Sequence, residues 1–277
     1  MMNLNKLFTI CLIIAIIFLL LNSFNVRKAI IFQKPEFIYE QNLSKIIHFS
    51  WKNKKIPNFF INFMKTWQED CFKDWKFMFW TDDDNYNFIR VHYPWFLKRY
   101  NEFHRNIYRA DVSRYFYLFH YGGIYTDLDT ECLRPFQHLL QNYSLVFGAM
   151  KGHWKGTKLK EGYVQNSFMY SKPRQTFWLE LIFDILNLKK VDRPEIMTGP
   201  VLLTNKIEEY QKRMIGKHLD MIVYPPQYFN PFSWIDPSDV DRNCMTSNQM
   251  TAENLEKCRY SLKAKGSYVA QYHFHTW

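Results

Sequence analysis

The chain has 277 residues, 47% hydrophobic and 19% aromatic, so a sizeable core is certain and the length suits one large domain or two small ones. Its net charge of +10 comes from Lys and Arg in runs no longer than two. Without a basic block, that charge argues against a nucleic-acid partner. It suits an anionic small substrate such as a diphosphate, or an anionic membrane surface.

Residues 1–6 form a short tail. From Leu7 to Phe24 the chain reads LFTICLIIAIIFLLLNSF, without a charge. That length is at the short end for a membrane span. A cleavable signal peptide is the alternative, but the small-residue cleavage site is weak. We expect an uncleaved anchor, a stem over 25–43 and a body over 44–277. Lys6 on one side and Arg27, Lys28 and Lys34 on the other leave the orientation open by charge. Sequons at Asn42 and Asn142 favour a lumenal body. Cys71, Cys132, Cys244 and Cys258 allow three pairings, with Cys244–Cys258 the first expected. A short anchor fits a thin membrane early in the secretory route, so the expected place is the Golgi or ER membrane, single-pass, with the body lumenal.

In the body, KIIHFSW (Lys45–Trp51) reads as a first strand. Pro57 opens a helical pattern through PNFFINFMKTWQEDC. WKFMFWT (Trp75–Thr81) reads as a second strand, followed by an acidic turn at Asp82, Asp83 and Asp84. A helix-rich stretch follows. Its apolar stripe is Ile107, Ala110, Val112, Tyr115, Leu118 and Phe119, and it ends at Gly122-Gly123. IYTDLD, SLVFGAM, NSFMYS and MIVYPP supply further strands, with helices over about 174–189 and 200–215. This alternation predicts an α/β domain with a largely parallel sheet.

In such sheets ligands sit beyond the carboxyl ends of strands. Asp127 and Asp129 lie at one such end, and alternation places both on one face with Leu128 on the other. Two like charges so close are relieved by a divalent cation, Mn2+ or Mg2+, whose shell substrate phosphates complete. A polar turn after a strand would carry the same letters.

The longer stretch YRADVSRYFYLFHYGGIYTDLDTECLRPF joins Arg-Ala-Asp, Arg-Tyr and Gly-Gly-x-Tyr-x-Asp-x-Asp. It resembles the signature of D-x-D glycosyltransferases, and more closely that of glycosyltransferase family 32. That family includes inositol-phosphorylceramide mannosyltransferases and α-1,4-galactosyl and α-1,4-N-acetylglucosaminyl transferases. KIIHFSW, FWTDDD, NSFMYSKPRQTFW, TGP at 198–200 and a closing HFHTW agree in order, so the resemblance covers about 45–277. It implies a GT-A fold: a Rossmann-like, mainly parallel sheet, here behind the N-terminal anchor. It also implies a nucleotide-sugar donor, one divalent metal and retaining transfer of a hexose to a glycolipid or glycan. GDP-mannose is the first donor and UDP-galactose or UDP-N-acetylglucosamine the second. TECLRPFQHLL leans toward the ceramide-mannosylating branch.

By the same resemblance Asp129 ligates the metal and Asp127 shares it or binds the ribose. Asp111 takes sugar hydroxyls, with Arg109 near the sugar or phosphates; on the residues by themselves, an Asp111–Arg114 pair on one helix is the alternative. His48 and Trp51 hold the base, and Asp82 contacts base or ribose. Tyr125 packs near the donor, and Asn166 lies near sugar or acceptor. His273 or His275 supplies a third metal ligand, and Trp277 covers the phosphates. No side-chain nucleophile is implied, because a leaving phosphate oxygen can act as base. The readings from other classes are a non-catalytic lectin-like relative and a nucleotide-sugar hydrolase.

Overall fold

Strand β1 (Ile46–Ser50) is buried from Ile47 onward, as an apolar run covered on both faces should be. In the computed structural model the described residues are 43–150, 163–189, 193–215, 219–232, 244 and 251–274. Residues Leu43–Trp277 form one compact unit. The expected anchor and stem up to residue 42, and His275 and Trp277, lie outside the described residues. Among the described residues no helix is long and apolar enough to cross a membrane.

Pro57 precedes helix α1 (Asn58–Lys65), which continues as a π-helical turn over Thr66–Cys71 and buries Phe60, Phe63 and Trp67. β2 (Lys76–Trp80) pairs in parallel with β1. The three aspartates that follow are not a loop turn. They open helix α2 (Asp82–His92), because Thr81 and Asp84 form a reciprocal capping box. Three carboxylates then sit at the positive end of the helix dipole, where they stabilise it.

Helices α3 (Pro94–Glu102) and α4 (Asn106–His120) lead to Gly122 and Gly123, at φ +66° and +93°. A Cβ on Gly123 would lie 2.3 Å from the Ile46 carbonyl oxygen. Glycine is required there because β3 enters against the backbone of β1. β3 (Gly123–Thr126) is shorter than the expected IYTDLD strand. Asp127, Leu128 and Asp129 form a turn into β4 (Thr130–Cys132), so strand alternation does not orient the two aspartates.

β5 (Leu145–Met150), β6 (Tyr163–Ser171), α5 (Thr176–Asn187), α6 (Pro194–Met197) and α7 (Pro200–Arg213) follow. After them come β7 (Met221–Tyr224), α8 (Pro226–Phe229), α9 (Ala252–Ala264) and β8 (Val269–Gln271). The six-stranded sheet has the order β2-β1-β3-β6-β5-β7. Within it β6 runs against β3 and β5, and the other pairings are parallel. A separate antiparallel pair joins β4 to β8. Successive residues feed opposite cores: Tyr125, Leu145 and Phe147 pack on one face, Ile124, Val146 and Phe168 on the other. The reversal of β6 brings Tyr163–Ser167 alongside the carboxyl end of β3, where the Asp127 amide donates to Ser167 O at 3.0 Å.

Two disulfides are present among the described residues. Cys244–Cys258 is the expected pair, although Cys258 lies on α9 rather than in a loop. Cys71–Cys132 ties the end of the π-helical turn to β4.

The glycine requirement is testable. Gly123→Ala is expected to destabilise the protein by about 2–4 kcal/mol in denaturant unfolding, through strain at positive φ and the clash with β1. An unchanged midpoint would show that β3 enters differently.

Candidate active site

Helix α4 turns Asp111, Arg114 and Tyr115 into the interior, one turn apart on its sheet-facing side. Arg114 is the centre. Its Nη1 donates to Asp127 Oδ1 at 3.2 Å and to the Asn166 carbonyl oxygen at 2.7 Å, and its Nη2 lies 3.4 Å from Asp111 Oδ1. The guanidinium carbon stands 4.4 Å from the Tyr125 ring centroid. Burial opposes the Arg114 charge, but Tyr125, Asp127 and Asp111 push its pKa up, so it remains a cation.

Asp111 accepts from Asn166 Nδ2 at 2.8 Å and from Thr198 Oγ1 at 2.9 Å. Burial still lifts its carboxyl to about 6, against the pull of Arg114. Asp127 accepts from the Tyr125 hydroxyl at 2.8 Å; burial raises its pKa, and Arg114 and Tyr125 oppose the rise.

Asp129 is held from the other side of the site. Its Oδ2 accepts from the Phe274 amide at 3.1 Å and its carbonyl oxygen from the Tyr272 amide at 3.0 Å. Both donors follow β8, which pairs with β4. Glu131 on β4 reinforces this join, accepting from the Tyr272 hydroxyl at 2.6 Å and pairing with Arg259 on α9. Asp129 Oδ1 is buried and has no hydrogen-bond partner. Burial, then the charge of Asp127, lifts the Asp129 carboxyl to about 7.

An orphaned, buried carboxylate oxygen beside a second carboxylate fits a hard divalent cation. Among the described residues no three His, Cys, Asp or Glu side chains converge as a protein-only cage. The donor set therefore fits an ion whose shell is completed by ligand oxygens and water. His273 lines the same pocket of about 220 Å³, with Asp127, Asp129, Gln165, Asn166 and Gln271.

A second cleft, of about 280 Å³, lies at the carboxyl ends of β1 and β2, lined by Trp51, Asp82, Asn106, Ile107 and Ala110. Asp82 accepts from Asn106 Nδ2 at 3.3 Å. Its carboxyl is raised by partial burial, against Arg109. The first turns of α4 thus line this cleft, and the next residue, Asp111, belongs to the network around Asp127.

The structure brings together Asp111, Asp127, Asp129, Asn166 and His273, with Trp51 and Asp82 on the second cleft. It places the other candidates elsewhere. His48 is fully enclosed: Trp80 Nε1 donates to its Nδ1 at 3.1 Å, and its Nε2 donates to Gly122 O at 2.9 Å. Burial drops its pKa to about 4, so it is a neutral core residue at the entry to β3, not a wall of the second cleft. Arg109 points back along its own helix, to Tyr100 O, Phe103 O and Asn106 Oδ1, and fastens the end of α3. Tyr125 is buried beneath Arg114, where it holds Asp127. Sequence reasoning gave Arg114 only the part of a partner to Asp111, and passed over Gln165 and Gln271. The signal for Arg114 was its i+3 spacing from Asp111, a charge on the buried stripe of the helix.

Residues 57–146 match the family model described as a glycosyltransferase sugar-binding region containing a DXD motif. The chain is 33% identical over 205 residues to mannosyl phosphorylinositol ceramide synthase SUR1 of Saccharomyces cerevisiae, covering 70% of this chain and 49% of that protein. It is 45% identical over 98 residues to inositol phosphoceramide mannosyltransferase 3 of Schizosaccharomyces pombe, covering 35% of this chain and 27% of that protein. The chain thus spans about half or less of the length of these curated relatives. Among solved structures, the PaToxG glycosyltransferase aligns with a TM-score of 0.46 and 13% identity, over 82% of this chain and 89% of that chain.

Replacing Arg114 by Met should leave two buried carboxylates without their cation. The expected loss is about 3–5 kcal/mol of unfolding free energy. Arg114→Lys should recover little, because an ammonium cannot reach the same acceptors as a planar fork. Urea titration decides this; a Lys variant as stable as the native protein would refute the hub.

Proposed function

We propose, on the premise that this chain belongs to the glycosyltransferases whose sugar-binding region contains a D-x-D motif, that it is a metal-dependent retaining hexosyltransferase. It moves mannose from GDP-mannose to a glycolipid acceptor of the inositol phosphoceramide type. The observation that carries this reading is the buried pair Asp127 and Asp129, with one Asp129 oxygen left without a partner, at the end of a parallel strand. The mixed sheet, with the motif in the turn after β3 and the β4–β8 pair closing over it, supports a GT-A architecture. The curated relatives named above support mannose and the acceptor class.

In this reading Asp129, with Asp127 beside it, holds Mn2+ or Mg2+, and His273 is the third candidate ligand. The bound ion supplies neutralisation of the charge gathering on the nucleoside diphosphate as it leaves. The base and ribose lie in the cleft of Trp51 and Asp82, and α4 spans from that cleft to the motif. Asn166 lines the pocket and meets the sugar or acceptor. Asp111 does not line it; its bonds to Arg114, Asn166 and Thr198 make it a positioning residue.

The acceptor hydroxyl attacks the anomeric carbon on the face from which the diphosphate departs. The new C–O bond forms as the bond to phosphate oxygen breaks, through an oxocarbenium-like state, and the hydroxyl proton passes to the departing phosphate oxygen. No side-chain nucleophile is needed.

The apolar segment 7–24 is the proposed anchor of a single-pass protein in the Golgi or ER membrane with a lumenal body. Two disulfides fit such an oxidising compartment.

With an inositol phosphoceramide acceptor present, the full chain in detergent should release GDP from GDP-mannose in the presence of Mn2+, faster than without the acceptor. EDTA should abolish the release, and Asp129→Ala should lower it by about 100-fold or more. Release only from UDP-galactose or UDP-N-acetylglucosamine would reassign the sugar. A folded protein that releases nucleoside diphosphate from none of these donors, with the glycolipid acceptor present, would overturn the transferase reading.

A further inference from the structure

Strand β6 crosses the pocket with Asn166 on one side and Gln165 and Ser167 on the other. Asn166 faces α4 and bonds to Asp111. Ser167 donates to Gln271 of β8, and Gln165 Oε1 accepts from Asn230 Nδ2. The wall carrying Gln165 is therefore the one shared with the chain segment that holds Asp129.

Gln165 is 5% exposed, and Asn230 is fully buried. Asn230 Oδ1 in turn pairs with His273 Nε2 at 3.0 Å. These bonds fix one sense along the chain of side chains. As placed, the Asn230 amide donates to Gln165 and presents its oxygen to His273 Nε2, an arrangement that suits a protonated Nε2. At the far end the Gln165 NH2 is buried without a partner. Reversing the chain would instead leave the Gln165 oxygen unpaired. In the sense placed here, the pocket wall offers a donor.

We infer that Gln165 is a recognition residue for the nucleoside diphosphate: its NH2 donates to an anionic phosphate oxygen, and Asn230 and His273 set its orientation. The inference rests on the donor-site reading given above. A buried amide donor left unmade carries the desolvation penalty of the group, and a ligand anion removes it. Hydrogen bonds to anions are about twice as strong as neutral ones. The phosphates are favoured over the sugar because Gln165 shares its wall with Asp129, while the opposite side of β6 carries Asn166.

Gln165→Glu tests this directly. It keeps the length of the side chain and the oxygen that accepts from Asn230, and replaces the NH2 by an oxygen facing an anion. Gln165→Met removes the donor without adding charge, but also removes the oxygen that accepts from Asn230, so it is expected to cost some stability. Binding of GDP and of UDP to the full chain with Mn2+ is measured by calorimetry, and binding of guanosine and uridine by ligand-observed NMR. Both variants should bind the diphosphate at least about tenfold more weakly, with Glu weaker than Met. Nucleoside binding should not change in either variant. Equal loss for nucleoside and diphosphate would make Gln165 structural and overturn the inference. Diphosphate binding equal to that of the native protein in both variants would also overturn it, with the donor site intact. A native protein that binds neither GDP nor UDP would remove the donor site itself, and the inference with it.

Discussion

A single buried cation organises the site. The guanidinium of Arg114 joins three segments far apart in the chain: its own helix through Asp111, the turn after β3 through Asp127, and β6 through the Asn166 carbonyl oxygen. Burying this charge is tolerable only because two carboxylates, a carbonyl and the face of Tyr125 surround it. The arrangement serves geometry. Five donors in a rigid fork fix where the turn sits relative to α4, to within the tolerance of a hydrogen bond.

The second aspartate is held by an independent device. β4 runs straight out of the turn and pairs with β8, so the residues after β8 must pass over Asp129. Glu131, Tyr272 and Arg259 lock that pairing, and the Cys71–Cys132 bridge fastens β4 from the opposite side. The two carboxylates of the motif therefore belong to different supports. Asp127 is neutralised by protein, and Asp129 keeps an oxygen without a partner. Two identical residues of one motif therefore stand in different environments: one carboxylate anchors the turn, and the other keeps an oxygen that the protein leaves unpaired.

Strand polarity explains how one small region gathers so many polar groups. Parallel β1, β2 and β3 deliver their carboxyl ends to one edge of the sheet, and antiparallel β6 delivers its amino-terminal half to the same edge. Backbone groups beyond the strand ends are not consumed by ladder bonds and are open to ligands. α4 then lies across this edge, lining one cleft with Asn106 and Ile107 and bracing the other with Asp111 and Arg114.

The local features were legible in the sequence because they depend on neighbours. Period-two and period-3.6 patterns located the six strands of the main sheet and several helices, but not β4, β8 or α9, and paired glycines marked the entry to β3. The spacing of Asp127 and Asp129 picked out two carboxylates that line one pocket, and Cys244–Cys258 lay close enough to be the first pairing expected. The Thr81–Asp84 capping box was written there too, but read as a turn. Tertiary structure decided which of the polar residues reach the site. His48 is drawn into the core by Trp80 and by a carbonyl 74 positions away, and Arg109 is turned back onto α3. Arg114 finds its backbone partner 52 positions on, and Gln165 finds Asn230 65 positions on. Spacing along a chain sets which face a residue occupies. What that face meets depends on elements folded in from elsewhere, and in a buried, low-dielectric site those long-range partners decide whether a charge is a structural tie or a group left for a ligand.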